Sequence, residues 1–156
     1  MDGETMGPAN PRPNVLGRAA LPGVRESVPL ARRQVRRWLS ADHPAADDVV
    51  LAVSELVTNA ITHAGCGRDD FIALTLVESD GAIHVEVNDP GAPHGEPVVR
   101  EEPDAENGRG LLIIRELAEE WGTHASGPGL GRIVWCSIRF APPLVTSARH
   151  EARSAP

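Results

Sequence analysis

The stretch from Pro44 to Ala64, PAADDVVLAVSELVTNAITHA, has two faces of opposite character. Val49, Ala52, Val53, Leu56, Val57, Ala60 and Ile61 recur at helical spacing, which predicts an amphipathic helix over roughly 45–64 with Pro44 in its first turn and Gly65 as its stop. Opposite that apolar arc, Glu55, Asn59 and His63 stand at i, i+4 and i+8, flanked by Thr58 and Thr62. A solvated helix face is the plain reading of such a stripe. Its side chains are short, and Asn is a mediocre helix former, so the stripe also suits a surface that receives a ligand.

Outward from this helix the pattern changes period. Phe71 to Glu78 reads as a strand, Ser79-Asp80-Gly81 as a tight turn, and Ile83, Val85 and Val87 as the inward face of a second strand, together an antiparallel hairpin. His84 and Glu86 fall on the alternate, wetter face, which predicts helices on one side of the sheet only. Upstream, Val24, Val28, Ala31, Val35, Trp38 and Leu39 predict a helix within 24–40, with Arg32, Arg33, Arg36 and Arg37 off its apolar stripe. A strand near 14–21 precedes it. Downstream, residues 89–108 carry Pro at 90, 93, 97 and 103 and show no sustained period, which reads as a long functional or disordered loop.

A third helix opens at Gly108-Arg109-Gly110 and is expected to bury Leu111, Ile114, Leu117, Ala118 and Trp121. A short strand near 122–126, a turn with Gly127, Gly129 and Gly131, and a last strand at 132–140 close the chain. The expected fold is α/β (α+β), a two-layer sandwich with a mixed, mainly antiparallel sheet of four or five strands covered on one face by three helices. Residues 14–140 form the domain, and 1–13 and 141–156 read as disordered tails.

Composition narrows the chemistry. With 156 residues and a formal charge of −7, the chain suits one domain. All 15 basic residues are Arg, so a P-loop lysine, a Schiff-base lysine and a lysine general base are excluded, and the absence of Tyr removes a tyrosine nucleophile. The acidic balance argues against general nucleic-acid binding, which needs a basic surface. The longest apolar runs, Val49 to Val53 and Leu111 to Ile114, fall far short of the ~20 residues of a membrane span. With no apolar leader the protein is expected in the cytoplasm, where Cys66 and Cys136 remain reduced. His63, Cys66, His84 and His94 match no standard zinc spacing. Gly127-Pro-Gly-Leu-Gly131 lacks both a lysine and a following helix, so it reads as a turn and not a phosphate loop.

Three local signals remain, each ambiguous alone. The first is the polar stripe of the second helix. In the second, Asp89-Pro90-Gly91 ends a strand, where an Asp can accept from a ligand amino group and Gly91 lets that ligand approach the backbone. In the third, Gly108-Arg109-Gly110 opens a helix whose free N–H groups can cradle an anion. In this order they resemble the Bergerat ATP-binding fold of gyrase, histidine kinases and heat-shock chaperone ATPases, the GHKL (histidine kinase-like ATPase) superfamily. The closer resemblance is to the small anti-sigma-factor serine kinases, carried by Ser54-Glu-Leu-Val-Thr-Asn-Ala-Ile-Thr-His-Ala64, Asn88-Asp-Pro-Gly91 and Gly108-Arg-Gly-Leu-Leu112, and it spans about Val15 to Phe140.

The resemblance implies an ATP- and Mg²⁺-dependent protein serine/threonine kinase that phosphorylates an anti-anti-sigma partner, sequesters a sigma factor and can form a homodimer. The alternative is a nucleotide-binding regulatory module without catalysis. By the same resemblance Asn59 is the Mg²⁺ ligand, Glu55 is the base or positions a water, and Asp89 accepts from the adenine amino group. Gly91 lines the base pocket, Gly108, Arg109, Gly110 and Leu111 close on the phosphates, and His63 flanks them. Two stretches depart from the family pattern. Gly131-Arg132-Ile133-Val134 stands where a Thr is usual at the start of the last strand, and Glu106-Asn107 stands where the kinases carry a basic residue, a task that would pass to Arg100 or Arg109.

Overall fold

A computed structural model describes residues 12–63, 68–90, 107–127 and 131–142 of the chain. Eight elements follow in order: β1 (Asn14–Pro22), α1 (Ser27–Trp38), α2 (Ala46–His63), β2 (Phe71–Ser79), β3 (Ala82–Asp89), α3 (Asn107–Leu117), β4 (Glu120–Ala125) and β5 (Arg132–Arg139). The strands form one sheet in the order β1-β2-β3-β5-β4. Every pairing among the described strands is antiparallel, so the parallel pairing that a mixed sheet allowed for does not occur there.

The β2–β3 hairpin turns where the Asp-Gly pair predicts. Asp80 and Gly81 take φ of 49° and 74°, the left-handed pair whose twist matches the flanking strands. Alternation then sets the two faces of the sheet. Ile72, Leu74 and Leu76 on β2, Ile83, Val85 and Val87 on β3, and Val134, Cys136 and Ile138 on β5 point inward and are buried. Against them pack Val49, Val53, Leu56, Val57 and Ala60 of α2, Ala31 and Val35 of α1, and Ile114 of α3. The opposite face holds His84, its ring 5.4 Å from that of Trp135 in a stacked pair and its Nε2 3.7 Å from Glu86 Oε2. Phe71, on that face at the sheet end, is 59% exposed. Among the described residues, helices therefore cover one face only, as the alternation predicts.

Two boundaries move. The first helix begins at Ser27, not Val24, because residues 22–26 turn instead: Val24 N–H donates to Pro22 O, and the buried Ser27 hydroxyl reaches the same carbonyl at 2.5 Å. The third helix ends at Leu117, so Trp121 is not a buried helix residue. It sits on β4, 37% exposed, because Glu119 N–H already donates to Ser137 O and the chain has joined the sheet edge. The expected tails lie mostly outside the described residues, as does the loop from 91 to 106.

Candidate functional site

The polar stripe of α2 is where its spacing puts it. Glu55 and Asn59 are both half-buried, one turn apart. Two of their hydroxyl neighbours are turned back onto the helix: Ser54 Oγ donates to Val50 O at 2.9 Å and Thr58 Oγ1 to Ser54 O at 2.6 Å. Glu55 and Asn59 are thus left as the carboxylate and the amide that this face can present. Thr62 is exposed, and the side chain of His63 lies outside the described residues.

Glu55 meets α3 at a single informative point. A Cβ placed on Gly110 would stand 2.9 Å from Glu55 Oε2, closer than real Cβ contacts come. The second glycine of Gly108-Arg109-Gly110 thus brings the first turn of α3 against the carboxylate, the movable end of a side chain that would have to swing aside for a larger residue. That turn carries backbone N–H groups with no partner inside the helix, together with the positive end of its dipole. The backbone of Gly108 and Arg109 belongs to this turn, while their side-chain surroundings lie outside the described residues. Leu111 is half-buried and Leu112 is exposed.

Asp89 ends β3 on the inward face, 7% exposed, in phase with the buried Val85 and Val87. A carboxylate so withdrawn from water has to be met by donors, from the protein or from a ligand. The neighbouring Asn88 points the other way, where its Oδ1 accepts from Ser126 Oγ at 2.9 Å and ties the end of β4 to the end of β3. Gly91 and Arg100 lie outside the described residues. Glu55, Asn59, Gly110 and Asp89 thus stand on elements of one packed unit, with α2 against both α3 and β3.

One residue outside the expected set lies beside Asp89 in the sheet. Arg132 opens β5 and pairs in register with Asp89. Its signal was available: Val134, Cys136 and Ile138 alternate inward, so Arg132 is in phase with the core face. The one described cysteine, Cys136, is buried in that core, and burial pushes its thiol up to about 12. It packs as a small apolar side chain, and its burial disfavours the reactive thiolate.

The donor set suits nucleotide and Mg²⁺. An amide oxygen at Asn59 is a hard ligand of the kind Mg²⁺ accepts beside waters and phosphates, and the first turn of α3 offers backbone N–H groups to an anion. Among the described residues no cluster of three or more His, Cys, Asp and Glu could hold a metal by itself, so any cation here would need ligands beyond such a cluster. Among them too, no helix is long and apolar enough to cross a membrane. The family model of the histidine kinase-like ATPase domain matches residues 21–138. No curated protein matches the chain.

Proposed function

Because the chain belongs to the histidine kinase-like ATPase domain family, whose members are built to bind ATP, we propose that it is a Mg²⁺-dependent protein serine/threonine kinase of the anti-sigma type. In this reading it phosphorylates an anti-anti-sigma protein, sequesters a sigma factor, works in the cytoplasm and can form a homodimer. The observation that carries the reading is the approach of Gly110 to Glu55, which sets a carboxylate beside a helix N-terminus able to hold phosphate.

Each residue has a task that follows from its chemistry. Asp89 accepts from the adenine amino group, with Gly91 beside the base. The N–H groups of Gly108 to Leu111, with Arg109 or Arg100, hold the phosphates. Asn59 holds Mg²⁺ through its side-chain oxygen, and His63 flanks the phosphates. ATP supplies the phosphoryl group. Transfer depends on positioning and charge stabilisation, with one residue receiving the proton of the attacking hydroxyl. Glu55, half-buried one turn from Asn59, takes that proton from the partner Ser or Thr.

Labelled ATP, incubated with the protein and candidate partners, tests the reading. Glu55→Gln keeps shape and reach but removes the base, so ATP still binds while transfer falls by ~10²–10⁴-fold. If the wild type transfers no phosphate to any cognate partner, yet ATP alters its affinity for that partner, the kinase reading fails and a non-catalytic nucleotide-binding regulatory module replaces it.

A further inference from the structure

Arg132 holds the one buried side-chain polar atom among the described residues that has no hydrogen-bond partner, its Nε. A buried N–H without an acceptor is seldom retained, and a ligand is one source of the missing acceptor. The place of its residue in the sheet is well defined. Arg132 lies directly across from Asp89 in the β3–β5 register, and the next inward pair on the same face is Val87 and Val134. The end of the sheet that carries both residues is braced: Gly131 enters β5 at φ 94°, its carbonyl accepts from Ser126 N–H at 3.0 Å, and Ser126 Oγ donates to Asn88.

The two side chains are chemically opposite. A guanidinium only donates, and an ionised carboxylate only accepts. Side by side, they recognise a molecular edge that offers an acceptor next to a donor. Adenine presents such an edge with N1 and its 6-amino group. Guanine presents a fuller one, with O6 toward the arginine and both N1–H and the 2-amino group toward the carboxylate. A neutral hydroxyl at position 132 would supply no charge-assisted donor to O6.

We propose that Arg132 is a specificity-determining residue of the nucleotide site, donating to the purine acceptor beside the group that Asp89 accepts, so that guanine nucleotides are taken as well as adenine nucleotides. The inference rests on the assignment of Asp89 to the base, and its test separates the two. Mg-ATP and Mg-GTP are titrated calorimetrically into wild type, Arg132→Met, Arg132→Thr and Asp89→Ala, with melting curves to establish that each is folded.

The expected result is wild-type affinity for the two nucleotides within about tenfold, and a loss of about 10–100-fold in GTP affinity in the folded Arg132 variants, larger than the loss for ATP. Wild type that binds ATP but rejects GTP by more than about 10³-fold overturns the inference. An unchanged GTP-to-ATP ratio in the Arg132 variants also overturns it, and if Asp89→Ala still abolishes binding, the base assignment survives alone. If Asp89→Ala leaves both affinities intact, the base assignment falls and this inference falls with it.

Discussion

Single side chains here act through what surrounds them. Glu55 and Cys136 are both acids in principle, yet Glu55 stands half-buried on the polar face of α2 while Cys136 lies in the core with its thiol pushed up to about 12. The protonated, neutral form of that thiol is the one the fold favours. Its contribution to stability is therefore complete below the unfolded value of 9.0 and is lost as pH rises from there through about 12. Two outcomes are expected. Native protein at pH 8 leaves Cys136 unmodified by a thiol reagent that labels the unfolded chain, and stability to urea declines above pH 9 less steeply in Cys136→Ala than in wild type. Rapid labelling of Cys136 in the native protein, read by mass spectrometry of the peptide that contains it, would refute the assignment.

At the scale of elements, packing of α1 decides two further outcomes. Its inner stripe ends in Trp38, whose indole stands against Gly17 on β1, where a Cβ would overlap the ring. Gly17→Ala should therefore displace Trp38 and destabilise the protein by about 1–3 kcal/mol, seen as a lower urea midpoint and a changed tryptophan emission. The outer face of the same helix exposes Arg32, Arg33, Arg36 and Arg37. A solvated face accounts for them, and so does a docking surface for an acidic protein partner. If they dock the partner, replacing all four by Gln slows association in a salt-dependent way. Association rates unaffected by the change at low salt would remove this helix from the interface. Losing Arg36 and Arg37 from the last turn should also cost a few tenths of a kcal/mol in dipole stabilisation, so rates are compared well below the melting temperature.

For the whole molecule, a site assembled from α2, α3 and β3 exists only when those elements are packed together. Ligand binding must then stabilise the fold. Mg-ATP at about 100 times its Kd should add about 2.7 kcal/mol, read as a rise of several degrees in the melting temperature. Chelation of Mg²⁺ should remove most of that rise in wild type and little of the smaller rise left in Asn59→Ala. Equal rises with and without the metal in wild type would leave Asn59 a structural residue.

The sequence by itself determined the elements and the faces they bury, because the 3.6-residue and two-residue periods of apolar side chains are local properties. The α2 stripe, the Asp80-Gly81 turn and the split between Val85 and His84 are all legible without coordinates. The identities of Glu55, Asn59, Asp89 and Gly110 could likewise be read from motif order, though their roles remain proposals. Tertiary structure alone decided what meets what. Helix three stops at Leu117 and sends Trp121 to a sheet edge because Ser137 supplies the competing carbonyl, a residue 18 positions beyond Glu119. Gly110 meets Glu55 because the packing of two helices brings the carboxylate to where a side chain at 110 would begin. Arg132 stands beside Asp89 because antiparallel register joins residues 43 positions apart, and no local period encodes a pairing at that distance.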